Sequence, residues 1–225
     1  MCFSASASFS LAAATAVVGV ATLYQVQQPR GIALAAVPLL FALQQAVEGL
    51  LWLELSGAGD RAAIAALAFA FLLFAEVLWP VYATLAVLLV EPDHRRRAIL
   101  CAVAAAGAAL SLYLLSGLLS EPPAAIVRGH SIAYSRNTGL FSWQQAAYVI
   151  ITVGGPVVSS HRIIRLFGVA VAIGFAITAY AYAATLISVW CFFAAASSSL
   201  LYWHFRGAAR QARLRQGGKH SGGHI

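Results

Sequence analysis

The fold is decided by residues 166–205, LFGVAVAIGFAITAYAYAATLISVWCFFAAASSSLLYWHF, which contain no Asp, Glu, Lys or Arg. As one α-helix these 40 residues would extend about 60 Å, twice the roughly 30 Å thickness of the hydrocarbon core of a bilayer. We therefore predict two membrane-spanning helices in this stretch, joined by a tight turn near residues 185–188.

Five more apolar stretches precede this one. They cover residues 6–24, 32–53, 62–90, 98–119 and 141–160, and each is long enough to cross a bilayer as a helix. The chain is 61% hydrophobic and has only 14 basic and 7 acidic residues among 225, which excludes a soluble enzyme domain. We predict an all-α, polytopic membrane protein with seven transmembrane helices in residues 1–205. A basic, disordered tail is expected at 206–225.

The basic residues predict the orientation of the chain. With seven spans, 11 of the 14 fall on one side of the membrane: Arg30, Arg95, Arg96, Arg97, Arg162, Arg165, Arg206, Arg210, Arg213, Arg215 and Lys219. The positive-inside rule then places the N-terminus outside and the C-terminus in the cytoplasm, and we expect a bacterial inner membrane. Because these residues alternate with apolar stretches, the lipid bilayer is the expected partner and nucleic acid is not.

One long connection, at about residues 120–140, lies outside the membrane in this topology. Apolar and polar residues alternate over 126–134, on both sides of Arg128-Gly129-His130. Alternation interrupted by a glycine turn is typical of a short β-hairpin. We expect this folded loop to act as a lid.

Two acidic residues occur inside the predicted spans, Glu48 and Glu76. A carboxylate at membrane depth costs several kcal/mol and persists mostly where it faces a bundle interior or a wet cavity. Glu48 shares a helical stripe about 100° wide with Gln44, Gln45 and Trp52, which predicts an outward-facing polar pocket. The alternative is that Glu48 is protonated, bonded to a neighbouring Gln or Tyr, and only fixes helix packing.

Glu76 lies on one helix face with Trp79 and Pro80. Pro80 cannot donate to the carbonyl of Glu76, which predicts a free backbone acceptor beside a carboxylate. Counted from the loop between their helices, Glu76 lies about 12 Å deeper than Glu48. We therefore expect Glu76 to be a second, deeper station for a cation.

Aromatic and amide side chains at the outer level complete the predicted pocket. Trp143 and Gln144 begin the fifth span, Trp190 begins the seventh, and Tyr134 ends the hairpin. The candidate ligand-binding residues are Glu48, Glu76, Gln44, Gln45, Trp52, Trp79, Trp143, Gln144, Trp190 and Tyr134. In the alternative interpretation, the tryptophans form an interfacial belt and bind nothing.

A metal site is a further possibility at the same level. Cys2 and Cys191 could approach each other as a disulfide or as ligands of a soft metal ion, with Glu48 and His130 as additional ligands. The alternative is a free, buried Cys191 and a Cys2 with no special role.

Two common cofactors of membrane helices do not fit the sequence. The only lysine is Lys219, in the tail, so no lysine is available for a retinal Schiff base. A bis-histidine haem needs histidines deep in facing helices. His94, His161 and His204 are instead predicted at the cytoplasmic boundary.

Three stretches resemble a known family. They are Met1-Cys2-Phe3-Ser4-Ala5, the run from Gln44 to Trp52, and Ser188-Val189-Trp190-Cys191-Phe192-Phe193-Ala194-Ala195. They look like an uncharacterised bacterial integral-membrane family, a domain of unknown function whose members begin Met-Cys-Phe-Ser-Ala. The resemblance implies a seven-helix bacterial membrane protein and supplies no activity, cofactor or catalytic residue.

The function favoured by these residues is that of a small carrier or channel-like protein. It would bind a cation or cationic small solute in an outward-facing acidic and aromatic pocket at Glu48, with proton coupling as an extension. One alternative is a membrane-embedded metalloprotein, either an enzyme or a redox subunit. The other is a seven-helix sensor or accessory subunit that needs a membrane protein partner.

Overall fold

The computed structural model describes residues 4–135 and 142–221, with side chains described as far as residue 214. Its described part forms seven helical segments and one β-hairpin. The segments are α1 (Ala5–Leu23), α2 (Pro29–Ser56), α3 (Arg61–Val90), α4 (His94–Ser120), α5 (Trp143–Val158), α6 (Arg162–Ala181) and α7 (Leu186–Ser198, continued by Leu200–Ser221). The hairpin consists of β1 (Ala125–Arg128) and β2 (Ser131–Tyr134), between α4 and α5.

Six of the described segments are long and apolar enough to cross a membrane. They are α1, α2, α3, α4, α6 and α7, and they make the chain a multi-pass membrane protein. The remaining segment, α5, has 16 residues and is about 24 Å long, shorter than a typical span. The all-α class is confirmed, and so are six of the seven predicted spans by their length and apolarity.

The turn in the long uncharged stretch lies slightly earlier than predicted. The helix α6 ends at Ala181, a 3-10 turn covers Ala183–Thr185, and α7 begins at Leu186. The hydroxyl of Thr185 donates to the carbonyl of Tyr182 across this turn. The prediction of two helices is therefore confirmed, with the break about three residues before the predicted 185–188.

The last helix is longer than predicted. Residues 206–221, expected to be a disordered tail, continue α7 as helical backbone. Phe205 and Ala209 are 5% and 2% exposed, so the protein core still holds the helix beyond the predicted boundary. The structure therefore gives residues 206–221 a helical backbone, and the buried side chains of Phe205 and Ala209 anchor its first turns.

The predicted hairpin is present. Its strands are antiparallel, with Ala125 opposite Tyr134 and Arg128 opposite Ser131. The turn contains Gly129 at a φ of 62°, a conformation that favours glycine. The strand β2 is buried along its whole length, so the hairpin packs against the helices.

Two helices, α4 and α5, approach α3 closely in the middle of the bundle. A methyl group on Gly107 of α4 would collide with the carbonyl oxygen of Pro80 in α3. Gly155 of α5 packs in the same way against Thr84 of α3. These small residues bring α3, α4 and α5 together around the site described next.

Candidate functional site

A cavity of about 370 Å³ lies among α3, α4, α5, α6 and α7. One carboxylate, two amides, one thiol and four aromatic rings contribute to its wall. The side chains that matter most are those of Glu76, Tyr113, Gln144, Tyr148, Trp190 and Cys191. Glu76 is the only acidic residue among the described residues of the wall, and it is half-buried.

A local irregularity of α3 positions Glu76. Residues Leu73–Leu78 form a π-helical turn, in which the N–H of Trp79 donates to the carbonyl of Phe74, five residues earlier. Such turns replace the usual four-residue spacing and occur often at functional sites. Glu76 sits within this turn and contributes to the cavity wall.

The π-helical turn changes which carbonyl lacks a helical donor. With the five-residue spacing of the π-helical turn, the N–H of residue 80 would donate to the carbonyl of Ala75. Because Pro80 has no N–H, the carbonyl of Ala75, rather than that of Glu76, lacks a helical donor. The hydroxyl of Tyr148 in α5 donates to this carbonyl. The hydroxyl of Ser111 in α4 donates to the nearby carbonyl of Val77 at 2.7 Å. The carbonyl without a helical donor is therefore that of Ala75, one residue before the predicted Glu76. It accepts a hydrogen bond from Tyr148 of the neighbouring helix α5.

Aromatic rings form much of the cavity wall. Trp190 contacts Tyr148 and Phe175, with ring centroids 5.5 and 5.0 Å apart and the rings nearly perpendicular in both pairs. The indole N–H of Trp190 donates to the carbonyl of Val171 at 3.0 Å. Edge-to-face packing and this hydrogen bond fix the ring of Trp190 at the cavity.

Glu48 lies outside the cavity wall, in a buried polar cluster between α2 and α7. It is 2% exposed. The hydroxyl of Ser188 donates to its Oε1 at 2.6 Å, and the amide of Gln45 donates to its Oε2 at 3.2 Å. These contacts match the alternative in which Glu48 fixes helix packing. Glu48, predicted as the ligand-binding carboxylate of an outward-facing pocket, does not contribute to this cavity wall, which contains Glu76.

The neighbouring polar residues of α2 are also buried. Gln44 accepts a 2.8 Å hydrogen bond from the indole N–H of Trp79, whose ring stacks on Phe41 at 4.0 Å. The amide nitrogen of Gln44 and the amide oxygen of Gln45 are buried with no described partner. The stripe predicted on α2 is therefore a helix contact, and its side chains face α3 and α7.

Tyr134 and Trp52 belong to the adjoining core under the hairpin. Tyr134 stacks on Phe71 with ring centroids 5.1 Å apart and is 3% exposed. Burial, together with the nearby Glu48 and Cys191, raises the pKa of Tyr134 well above its ordinary value. Its phenol is therefore neutral. The strands of the hairpin lie over the Glu48 cluster and do not contribute to the cavity wall.

The structure thus divides the predicted ligand-binding set into three groups. Glu76, Gln144 and Trp190 contribute to the cavity wall. Trp143 is 63% exposed beside Tyr113 and outside the wall. The six others are buried behind the cavity or under the hairpin: Gln44, Gln45, Glu48, Trp52, Trp79 and Tyr134.

The residues of the predicted metal site are separated as far as the structure describes them. Cys191 is a buried free thiol in the cavity wall. His130 is exposed at the hairpin turn, and Cys2 lies outside the described residues. Within residues 4–135 and 142–214, no three His, Cys, Asp or Glu residues are grouped to hold a metal ion. A site that includes Cys2 stays a prediction.

Sequence reasoning missed several residues of the site. Tyr113, Tyr148 and Phe175 contribute to the cavity wall, and Ser188 bonds Glu48. Tyr148 follows Gln144 by four residues and so lies on the same face of α5, a spacing visible in the sequence. Nothing in the sequence indicates which face of α4 or α6 meets that face.

A second polar network, also missed, closes the opposite end of the bundle. Glu91, directly after α3, accepts hydrogen bonds from the backbone N–H of Ser160 at 2.8 Å, the hydroxyl of Ser159 at 3.1 Å and the N–H of Asp93 at 3.2 Å. Burial by itself raises the pKa of Glu91, but these hydrogen bonds outweigh it and hold the pKa below its ordinary value. An ionised Glu91 therefore ties the end of α3 to the connection between α5 and α6.

A family model describing a family of unknown function (DUF6629) matches residues 1–216. The chain belongs to this family. No curated protein and no solved structure matches the chain. The expected membership in an uncharacterised family is confirmed at that level, and the bacterial origin and the opening motif of the family stay predictions.

Proposed function

We propose that this multi-pass membrane protein is a small carrier or channel-like protein that binds a cation or cationic small solute at Glu76. The observation that carries the proposal is the position of this carboxylate in the wall of a cavity of about 370 Å³. Acidic side chains within spanning helices are rare, costly and mostly functional. A cationic solute in the cavity would offset the cost of an ionised Glu76.

Proton coupling is part of the proposal. A proton and a cationic solute would compete for the same carboxylate, so that binding of one releases the other. Glu48 then has a supporting role. It accepts a hydrogen bond from Ser188 in α7. Ser188 lies three residues before Cys191, which contributes to the cavity wall. This hydrogen bond therefore holds the α7 side of the wall against α2.

The orientation is proposed from the distribution of basic residues. With the N-terminus outside a bacterial inner membrane and the C-terminus in the cytoplasm, the end of α4 and the start of α5 lie on the outer side. Ser116 and Gly117 of α4 and Ser142 and Gln144 of α5 contribute to the cavity wall. The cavity would therefore take its solute from outside.

Solid-supported membrane electrophysiology tests the proposal on purified protein in proteoliposomes. Rapid exchange onto Na⁺, K⁺ or an organic ammonium cation, at a pH high enough for Glu76 to be ionised, should produce a charge displacement in the native protein. Glu76→Gln should abolish that signal because it removes the negative charge and keeps the shape of the side chain. Glu121→Gln, which neutralises an exposed carboxylate at the end of α4, is the matched control. Equal signals from the Glu76→Gln and native proteins would refute the proposal.

A further inference from the structure

The aromatic rings of the cavity wall have few polar groups left to offer a solute. The indole N–H of Trp190 donates to the carbonyl of Val171, and the hydroxyl of Tyr148 donates to the carbonyl of Ala75. Phe175 has no polar group at all. These three rings therefore have no free N–H or O–H donor for a solute, and they add aromatic surface to the cavity wall.

Hydrogen bonds within the protein already use some of the other polar groups of the wall. The amide oxygen of Gln145 accepts the N–H of Ser142 in a capping box, and the hydroxyl of Ser116 donates to the carbonyl of Tyr113. A divalent ion such as Mg²⁺ or Ca²⁺ takes about six to eight oxygen ligands. The described wall holds one carboxylate, Glu76, beside neutral amide and hydroxyl groups, so it balances a single positive charge better than a divalent ion.

We infer that the cavity binds a monovalent N-alkylated ammonium group, with Glu76 as its counter-charge and Trp190, Tyr148 and Phe175 as its aromatic cage. Alkylation spreads the positive charge over methyl groups, which aromatic faces attract. The volume, near the lower end of the roughly 300–1,000 Å³ range of small-molecule pockets, suits a small solute. This inference rests on the proposed function and specifies its substrate class.

The test compares two probes of nearly equal shape. Choline carries a quaternary ammonium group, and 3,3-dimethylbutan-1-ol replaces its nitrogen by carbon and has no charge. Binding to the detergent-purified full chain is measured by isothermal titration calorimetry, with Na⁺ and K⁺ titrated separately. We expect choline to bind at least tenfold more tightly than the neutral alcohol and than either inorganic ion, because only choline uses both the carboxylate and the rings.

Variants of the ring and of the charge separate the two contributions. Trp190→Leu should weaken choline binding about tenfold, in line with the loss of one desolvated cation–π contact, whereas Trp203→Leu at an exposed position should not change it. Trp190→Leu also loses the hydrogen bond to Val171, so a second measurement avoids the substitution. Protein containing fluorinated tryptophan keeps the N–H and should bind choline more weakly, because fluorine withdraws electron density from the ring.

Each outcome identifies which idea fails. Binding of Na⁺ or K⁺ that requires Glu76, without binding of choline, would overturn the alkylammonium inference and leave the proposed cation site standing. Choline binding that is unaffected by fluorination and by Trp190→Leu would also overturn the inference. Equal binding of choline and its neutral analogue, unchanged in Glu76→Gln, would overturn both.

Discussion

Replacing Tyr148 by Phe should destabilise the protein through a single missing hydrogen bond. The hydroxyl of Tyr148 donates to the carbonyl of Ala75, which the π-helical turn and Pro80 leave without a helical donor. Tyr148→Phe keeps the ring beside Trp190 and removes only this donor. A buried carbonyl left unpaired costs about 1–3 kcal/mol, and hydrogen bonds between membrane helices are worth up to about 1.7 kcal/mol. We expect the free energy of unfolding to fall by about 1–2 kcal/mol.

A double-mutant cycle with Pro80→Ala tests the reason for this loss. Alanine restores a backbone N–H at position 80, which can serve the carbonyl of Ala75 from within α3. Tyr148→Phe should then cost less than about 0.5 kcal/mol in the Pro80→Ala background, giving a coupling energy of about 1 kcal/mol. The matched control is Tyr113→Phe, which removes a hydroxyl from a residue that is 50% exposed.

The assay is equilibrium unfolding in mixed detergent micelles at increasing mole fractions of sodium dodecyl sulfate, followed by tryptophan fluorescence. Identical losses for Tyr148→Phe in the two backgrounds would show that the hydroxyl does not substitute for the missing N–H of Pro80. No loss in either background would show that the carbonyl of Ala75 is satisfied in another way. Either result would refute the account of how Glu76 is positioned.

Three further predictions follow from the contacts of individual residues. Glu48→Ala should lower the free energy of unfolding by about 1–3 kcal/mol, because it leaves two buried donors unpaired. Glu48→Gln should lower it less and keep cation binding. Equal losses of stability in the two variants would contradict the role given to the hydrogen bonds. In a chain whose other two cysteines are replaced by serine, Cys191 should react with a small cationic methanethiosulfonate reagent, and choline should slow the reaction. Mass spectrometry measures the labelling. If choline does not slow it, the thiol lies outside the solute site. The pKa of Glu91 in the folded protein is below its ordinary value of 4.5. The stabilising effect of Glu91 should therefore be complete above pH 4.5 and be lost as the pH falls through the folded pKa. If thermal unfolding shows the same loss of stability at acidic pH in the native protein and in Glu91→Gln, this prediction is wrong.

Local features of the fold were predictable because they depend on neighbouring residues in the chain. Apolar stretches longer than about 18 residues, with at most one charged residue each, identified the spanning helices, and alternation around Gly129 identified the hairpin. The burial of Phe205 and Ala209, which anchors the helical backbone past residue 205, was not visible in the sequence. No local pattern reports that contact.

The site was predictable only in part, and for a similar reason. The helical spacing of Gln44, Gln45 and Glu48 placed them on one stripe of α2, and the structure buries all three side chains. It could not tell whether that face meets another helix or a cavity. Ser188, 140 residues away in the chain, supplies the hydroxyl that turns Glu48 into a helix contact.

The sequence by itself determined that the chain crosses a membrane repeatedly and that its two intramembrane carboxylates need a polar environment, since both follow from the cost of charge and of bare backbone in hydrocarbon. Only the tertiary structure decided which carboxylate contributes to the cavity wall. Glu48 meets donors from its own helix and from α7 and is enclosed, whereas the π-helical turn in α3 and the hydroxyl of Tyr148 hold Glu76 at the cavity wall. Hydrogen bonds between helices far apart in sequence made that choice, and the pattern along one helix does not contain them.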